Sequence, residues 1–217
     1  MADFAERRRT MVDTQVRPSD VTSFTVIDAM LAVPREVFVP PAARDLAYVG
    51  GPVALSAGRQ LMEPRTIAKM LSALEITPRD LVLEIGPGTG YTTALLARMA
   101  DAVVAVEEDE ALARDAEAAL LAQGVDNAAV LTGPLAEGSR RNGPYDAIAI
   151  FAGVEQIPQV LLDQVKEGGR IIAVFLQGQL GEVRLGVKTH GLVTWRMEFN
   201  ATAPVLSGFA ETPSFVF

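Results

Sequence analysis

The residues of this chain best suited to chemistry lie between Leu81 and Tyr91, which read L-V-L-E-I-G-P-G-T-G-Y. An apolar run (Leu81, Val82, Leu83, Ile85) ends in a glycine-alternating loop, Gly86-Pro87-Gly88-Thr89-Gly90, and an alanine- and leucine-rich stretch, Thr92 to Ala100, follows at once. Strand, glycine loop and helix together let backbone N–H groups approach a ligand with no Cβ in the way. A second apolar stretch, Ala102 to Val106, ends in Glu107, near the spacing at which ribose-binding acids follow such loops. The occupant predicted for this crevice is a nucleotide-like cofactor carrying a ribose.

Spacing narrows the choice. The dinucleotide fingerprint G-x-G-x-x-G needs a third glycine where Tyr91 stands, and the phosphate-loop pattern fails because no Gly-Lys-Ser/Thr follows. What remains, E-x-G-x-G-x-G over Glu84, Gly86, Gly88 and Gly90, resembles the first motif of the Rossmann-like S-adenosylmethionine methyltransferases. On the loop alone, a tight βα turn in some other α/β protein is the alternative. The resemblance implies that Gly86, Gly88, Thr89 and Gly90 lie under the amino-acid part of S-adenosylmethionine and that Glu107 takes the ribose hydroxyls. Glu84 either contacts the cofactor's amino group or orients the loop.

The elements that must position these residues follow from pattern. Apolar stretches at 81–86, 102–107, 128–133, 146–152 and 170–176 read as strands with helices between them, which predicts a largely parallel sheet covered on both faces. Asp109 and Glu110 suit the positive end of the helix after the second strand. Gly168-Gly169 reads as a turn before the fifth strand. Beyond Phe175 the pattern alternates, Val183 to Lys188 and Thr194 to Phe199, and His190-Gly191 between them predicts an antiparallel hairpin in which Trp195 packs. Ahead of the core, helical stretches are expected over Asp3 to Val16, Ser23 to Leu31 and Ala42 to Leu46, and a helix starting at Glu63-Pro64 continues through Leu74. The expected organisation is an N-terminal helical extension and substrate-side segment, 1–77, followed by a cofactor-binding core, 78–217.

Bulk properties set outer bounds. At 217 residues and 49% hydrophobic content the chain has enough to bury a sizeable core. A net charge of −8 opposes nucleic acid binding, and the Arg7-Arg8-Arg9 triplet reads as a solvated helix face. The absence of cysteine removes disulfides and thiolate metal sites, and no metal site is expected. No apolar run approaches the ~20 residues of a membrane span and the amino terminus lacks a signal pattern, so a cytoplasmic protein with no membrane partner is expected. Oligomeric state is not legible.

Several segments, in order from about residue 10 to 176, are together similar to the protein-L-isoaspartate O-methyltransferases. They are Met11-Val12 with Gln15-Val16, Val33-Pro34-Arg35-Glu36 with Phe38-Val39-Pro40, Leu46-Ala47-Tyr48, the Leu83–Tyr91 loop, Pro144-Tyr145-Asp146-Ala147-Ile148, and Ile157-Pro158 through Gln164 to Arg170. Ser214 to Phe217 resembles the family's terminal strand. The resemblance implies a mostly parallel doubly wound sheet with a C-terminal antiparallel hairpin, S-adenosylmethionine as cofactor, and a protein or peptide acceptor bearing an isoaspartyl carboxylate. Two segments depart from the family. Where it carries G-Q-T-I-S-x-P with an active-site serine, this chain has Gly58-Arg59-Gln60-Leu61-Met62-Glu63-Pro64, so Met62 stands at the serine. Where it carries a G-D-G segment beside the adenine, this chain has Gly133-Pro134-Leu135.

By this alignment Gln60, Leu61 and Met62 form the substrate wall and Pro134 and Leu135 flank the cofactor; Met62 is read either as pocket lining or as core. A thioether has no proton to donate, so Met62 cannot replace a hydroxyl. An acceptor carboxylate is already ionised at neutral pH and needs no general base, in keeping with a single histidine, His190, in a turn. Three outcomes stay open: isoaspartyl methylation, the same chemistry on another acceptor, or a non-catalytic paralogue that binds without turnover.

Overall fold

A computed structural model of the chain describes residues 3–178 and 180–211. After α1 (Phe4–Met11) and α2 (Phe24–Ala32) comes a hairpin, β1 (Val53–Ser56) and β2 (Arg59–Leu61), and then α3 (Pro64–Leu74). The alternating part follows as β3 (Leu81–Ile85), α4 (Tyr91–Ala97), β4 (Ala102–Glu107), α5 (Glu110–Ala122), β5 (Ala128–Thr132), β6 (Tyr145–Val154), α6 (Gln159–Leu162) and β7 (Val165–Gln177). Two antiparallel strands close it, β8 (Leu180–Thr189) and β9 (Leu192–Asn200).

Seven of these strands form one sheet in the order β5-β4-β3-β6-β7-β8-β9, parallel from β5 to β7. Side chains two residues apart share a face. Val82, Val103, Ala147 and Ile172 therefore face the core under the N-terminal helices and α3, whereas Leu83, Ile85, Val104, Ile148 and Ile171 face a second core with Leu161 and Phe209. The chain runs outward from β3 through β4 to β5 and then returns to β6 on the other side of β3. This reversal makes the carboxyl end of β3 a topological switch point, where open α/β sheets bind ligands. The glycine loop leaves the sheet there.

Most boundaries match the sequence reading within a few residues, and the departures have local causes. The first helix gives way at Val12 to a π-helical turn, Val12–Val16, in which Thr14 donates to Thr10 O at 2.7 Å. Gly168, at φ +77°, and Gly169 lie inside a bulge of β7, which already pairs at Val165, rather than ahead of the strand. Of the arginine triplet, Arg8 is not solvated: it donates to Tyr48 Oη at 3.1 Å and pairs with Glu36 at 3.3 Å. Successive helical residues point about 100° apart, and Arg8 shares the inward face with Met11 and Phe4. Asp109 caps α5 by accepting from Ala111 and Leu112 N–H. His190 and Gly191 turn the β8–β9 hairpin at positive φ, and Trp195 meets Phe175 edge-on at 4.8 Å. The expected terminal strand at Ser214–Phe217 lies outside the described residues. No described helix is long and apolar enough to cross a membrane.

Candidate active site

The loop after β3 needs its glycines for conformation: Gly86 and Gly88 sit at φ +69° and +59°, where a Cβ is disfavoured. Gly88 N–H donates to Glu107 Oε2 at 2.9 Å, so the loop and the acid at the end of β4 share one crevice. Glu107 is fully buried, and its Oε1 also accepts from Glu108 N–H at 3.0 Å and Asp109 N–H at 3.2 Å. The predicted cofactor residues Gly86, Gly88 and Glu107 are thus brought together, whereas Gly90, at φ +90°, packs against Ala116 and Leu120 of α5. Thr89, however, turns its hydroxyl to Phe38 O.

Glu84 lies one strand position inside the crevice and is buried. Thr93 donates to its Oε2 at 2.6 Å, while Oε1 has no partner. Burial pushes this carboxyl from 4.5 up to about 7; the Thr92 and Thr93 hydroxyls oppose the rise, and Glu107 adds to it. The folded state therefore binds the proton more tightly than the unfolded one. The resulting stability is complete below pH 4.5 and is lost as pH rises to 7, a difference of about 3 kcal/mol. Urea unfolding between pH 5 and 8 should show wild type weakening relative to Glu84→Gln; parallel pH profiles for the two proteins would refute this.

Pro134 heads a 3-10 turn, Leu135–Glu137, and Leu135 points into the core, 1% exposed, instead of into the crevice. On the substrate side, Gln60 and Met62 line a cavity of about 590 Å³ together with Glu63, Arg65 and residues 200–204. Leu61, between them on β2, faces the core. Met62 resolves its two readings by doing both: it borders this cavity and is only 3% exposed.

Two arginines that the sequence reading did not single out organise the site. Arg35 is fully buried in the turn after α2. Its Nε donates to Ala47 O at 2.7 Å, its Nη2 donates to Met62 O at 2.6 Å, and its guanidinium lies 4.9 Å from the centre of the Tyr91 ring. Arg59, on β2, makes a two-pronged bond to Glu107, at 2.6 Å to Oε1 and 2.7 Å to Oε2. A visible signal did exist for Arg59, since it stands where the family segment has glutamine.

A nucleoside cofactor must fit between these parts. The acid, the glycine loop and the unpartnered Glu84 Oε1 suit one chemically, but the space does not. A Cβ at Gly86 would meet Arg59 Nη2 and Leu206 Cδ1, both at 3.1 Å, and one at Gly88 would meet Leu55 Cδ1 at 2.7 Å. The gap bordered by Gly58, Arg59, Gly86, Phe151, Pro204 and Leu206 is about 10 Å³, against the several hundred typical of ligand sites. In this conformation the crevice does not fit S-adenosylmethionine.

Comparison with known proteins adds independent observations. The family model described as protein-L-isoaspartate(D-aspartate) O-methyltransferase (PCMT) matches residues 6–196. A protein-L-isoaspartate O-methyltransferase of Syntrophus aciditrophicus is 39% identical over 172 residues, 79% of each chain. One from Roseiflexus castenholzii is 35% identical over 212 residues, 97% of this chain and 96% of its own. Among solved structures, a Plasmodium falciparum beta-aspartate methyltransferase in complex with S-adenosyl-L-homocysteine superposes with a TM-score of 0.80 over 95% of this chain and 99% of that one. At 18% identity this is a likeness of fold.

Proposed function

The chain belongs to the protein-L-isoaspartate(D-aspartate) O-methyltransferase family, and from that premise we propose that it is an S-adenosylmethionine-dependent methyltransferase whose acceptor is an isoaspartyl carboxylate in a protein. One observation carries the reading: Gly88 of the glycine loop and Glu107 meet at 2.9 Å at the switch point, with the Gln60–Met62 cavity beside them. Gly86, Gly88, Thr89, Gly90 and Glu107, with Glu84 beneath and Pro134 after β5, are the proposed cofactor residues; Leu135, packed in the core, is not among them. Residues 1–77 provide the substrate-side segment and 78–217 the cofactor core, in a cytoplasmic setting. The acceptor arrives ionised, so its residues need only hold the carboxylate in line and exclude water. Transfer of radiolabelled methyl from S-adenosylmethionine to an isoaspartyl peptide tests the reading directly.

The position of Met62 favours a second reading, the same chemistry on a different acceptor, because a thioether on the cavity wall offers a carboxylate no donor. Met62→Ser separates the two. A restored hydroxyl bond to a charged group is worth about 1.5–3 kcal/mol, so isoaspartyl turnover should rise roughly ten- to hundredfold. The same change removes a buried side chain and should lower stability by about 2–4 kcal/mol, so rates are to be compared well below each protein's Tm. Unchanged turnover would mean that Met62 is not part of the acceptor wall.

A further inference from the structure

Five N–H groups meet the Glu107 carboxylate: three backbone amides and two from the Arg59 guanidinium, one on each oxygen. An acid in this position is suited to the adjacent hydroxyls of a ribose, which present two neighbouring O–H donors. The guanidinium fork presents two parallel N–H donors to the same pair of oxygens. We infer that Arg59 is a built-in competitor for the ribose site: its guanidinium occupies the place on Glu107 that the sugar would take, and the cofactor binds only after Arg59 has been expelled. This inference rests on the cofactor reading above and adds a control to that site.

The arrangement of the hairpin supports a movable latch. β1 and β2 pair only with each other, and neither joins the seven-stranded sheet. The hairpin brings two side chains over the glycine loop, Arg59 against Gly86 and Leu55 against Gly88. Lifting its tip would therefore clear both contacts without breaking a ladder bond of the main sheet. Its base stays anchored, because Val53 and Leu61 are buried and Arg35 holds Met62 O. Leu206, from the segment that pairs with β6 at Gly153, crowds Gly86 beside Arg59. That residue is the alternative obstacle against which the test must discriminate.

The probe is S-adenosylhomocysteine, titrated calorimetrically into the full chain and into Arg59→Gln. The glutamine variant should bind at least tenfold more tightly. On the wild type, hydrogen exchange with and without the probe gives a second readout. Expulsion of the latch should speed exchange in residues 54–60, whereas a ligand entering an open cleft beneath a static hairpin would slow it. If Arg59→Gln does not fold, Arg59→Lys keeps a cation but loses the fork and should bind at least threefold more tightly than wild type.

Equal, measurable affinities in wild type and variant overturn the latch and leave the cofactor reading standing. Binding by neither overturns the latch and removes the cofactor reading with it. Tighter binding by the variant with no methyl transfer to an isoaspartyl peptide supports the latch and counts against the proposed acceptor.

Discussion

Glu107→Ala is expected to lower unfolding stability by about 3–5 kcal/mol, the cost of removing one partner from a buried, hydrogen-bonded ion pair. An acid that only waited for a ligand in an open cleft would behave otherwise, and its removal would be neutral or stabilising. Glu107 has no exposure and satisfies Arg59 together with the N–H groups of Gly88, Glu108 and Asp109. Alanine leaves all of these without an acceptor and a guanidinium without its counter-charge. Urea unfolding at pH 7 measures the loss. Adding Arg59→Leu in the same chain should recover part of it, since removing both members of a buried pair costs less than removing one. A loss below about 1 kcal/mol would show that the pair contributes little to the folded state.

Arg35→Met should be comparably damaging, by about 3–5 kcal/mol, which for a chain of this size lowers Tm by roughly 10 °C. Methionine fills much of the volume but donates nothing. The carbonyls of Ala47 and Met62 then lose donors at 2.7 and 2.6 Å, and the Tyr91 ring loses the cation above it. Burial holds the Arg35 guanidinium below its ordinary pKa, yet no carboxylate faces it among its described hydrogen bonds, so backbone carbonyls and an aromatic ring do the work of a counter-ion. Because Arg35 ties the N-terminal turn to both Met62 and the residue after the glycine loop, its loss should also loosen the acceptor wall. Thermal unfolding is the simplest check, and a Tm within 3 °C of wild type would refute the assignment.

The two arginines and Glu84 change the meaning of the site. Arg35 and Glu84 are buried and Arg59 largely so, and each lies in or contacts a segment expected to touch a ligand: Arg35 through Met62 O, Arg59 beside Gln60, and Glu84 beneath the glycine loop. The relatives' name assigns an activity to the family. In this chain Glu107 and Gly88, both expected to face ligand, bond to each other, and Arg59 completes the set.

Much was legible in the residues alone. Continuous apolar runs at Leu81–Ile85 and Ala102–Glu107, buried on both faces and joined through a glycine loop and an alanine- and leucine-rich helix, mark a βα crossover. The order of such units determines a parallel sheet and its switch point, because right-handed crossovers leave few ways to stack them. The family resemblance rests on more, the ordered segments from Met11-Val12 to Gln164–Arg170. The hairpin 53–61 was not legible, since strands of four and three residues carry too little periodicity to register.

Only the tertiary structure decided what fills the crevice. Arg59 and Glu107 are 48 residues apart in the chain, and Arg35 and Met62 are 27 apart. No spacing rule links such pairs. A carboxylate's role depends on which donor reaches it first, and that is settled by packing between distant elements rather than by the residues on either side of it.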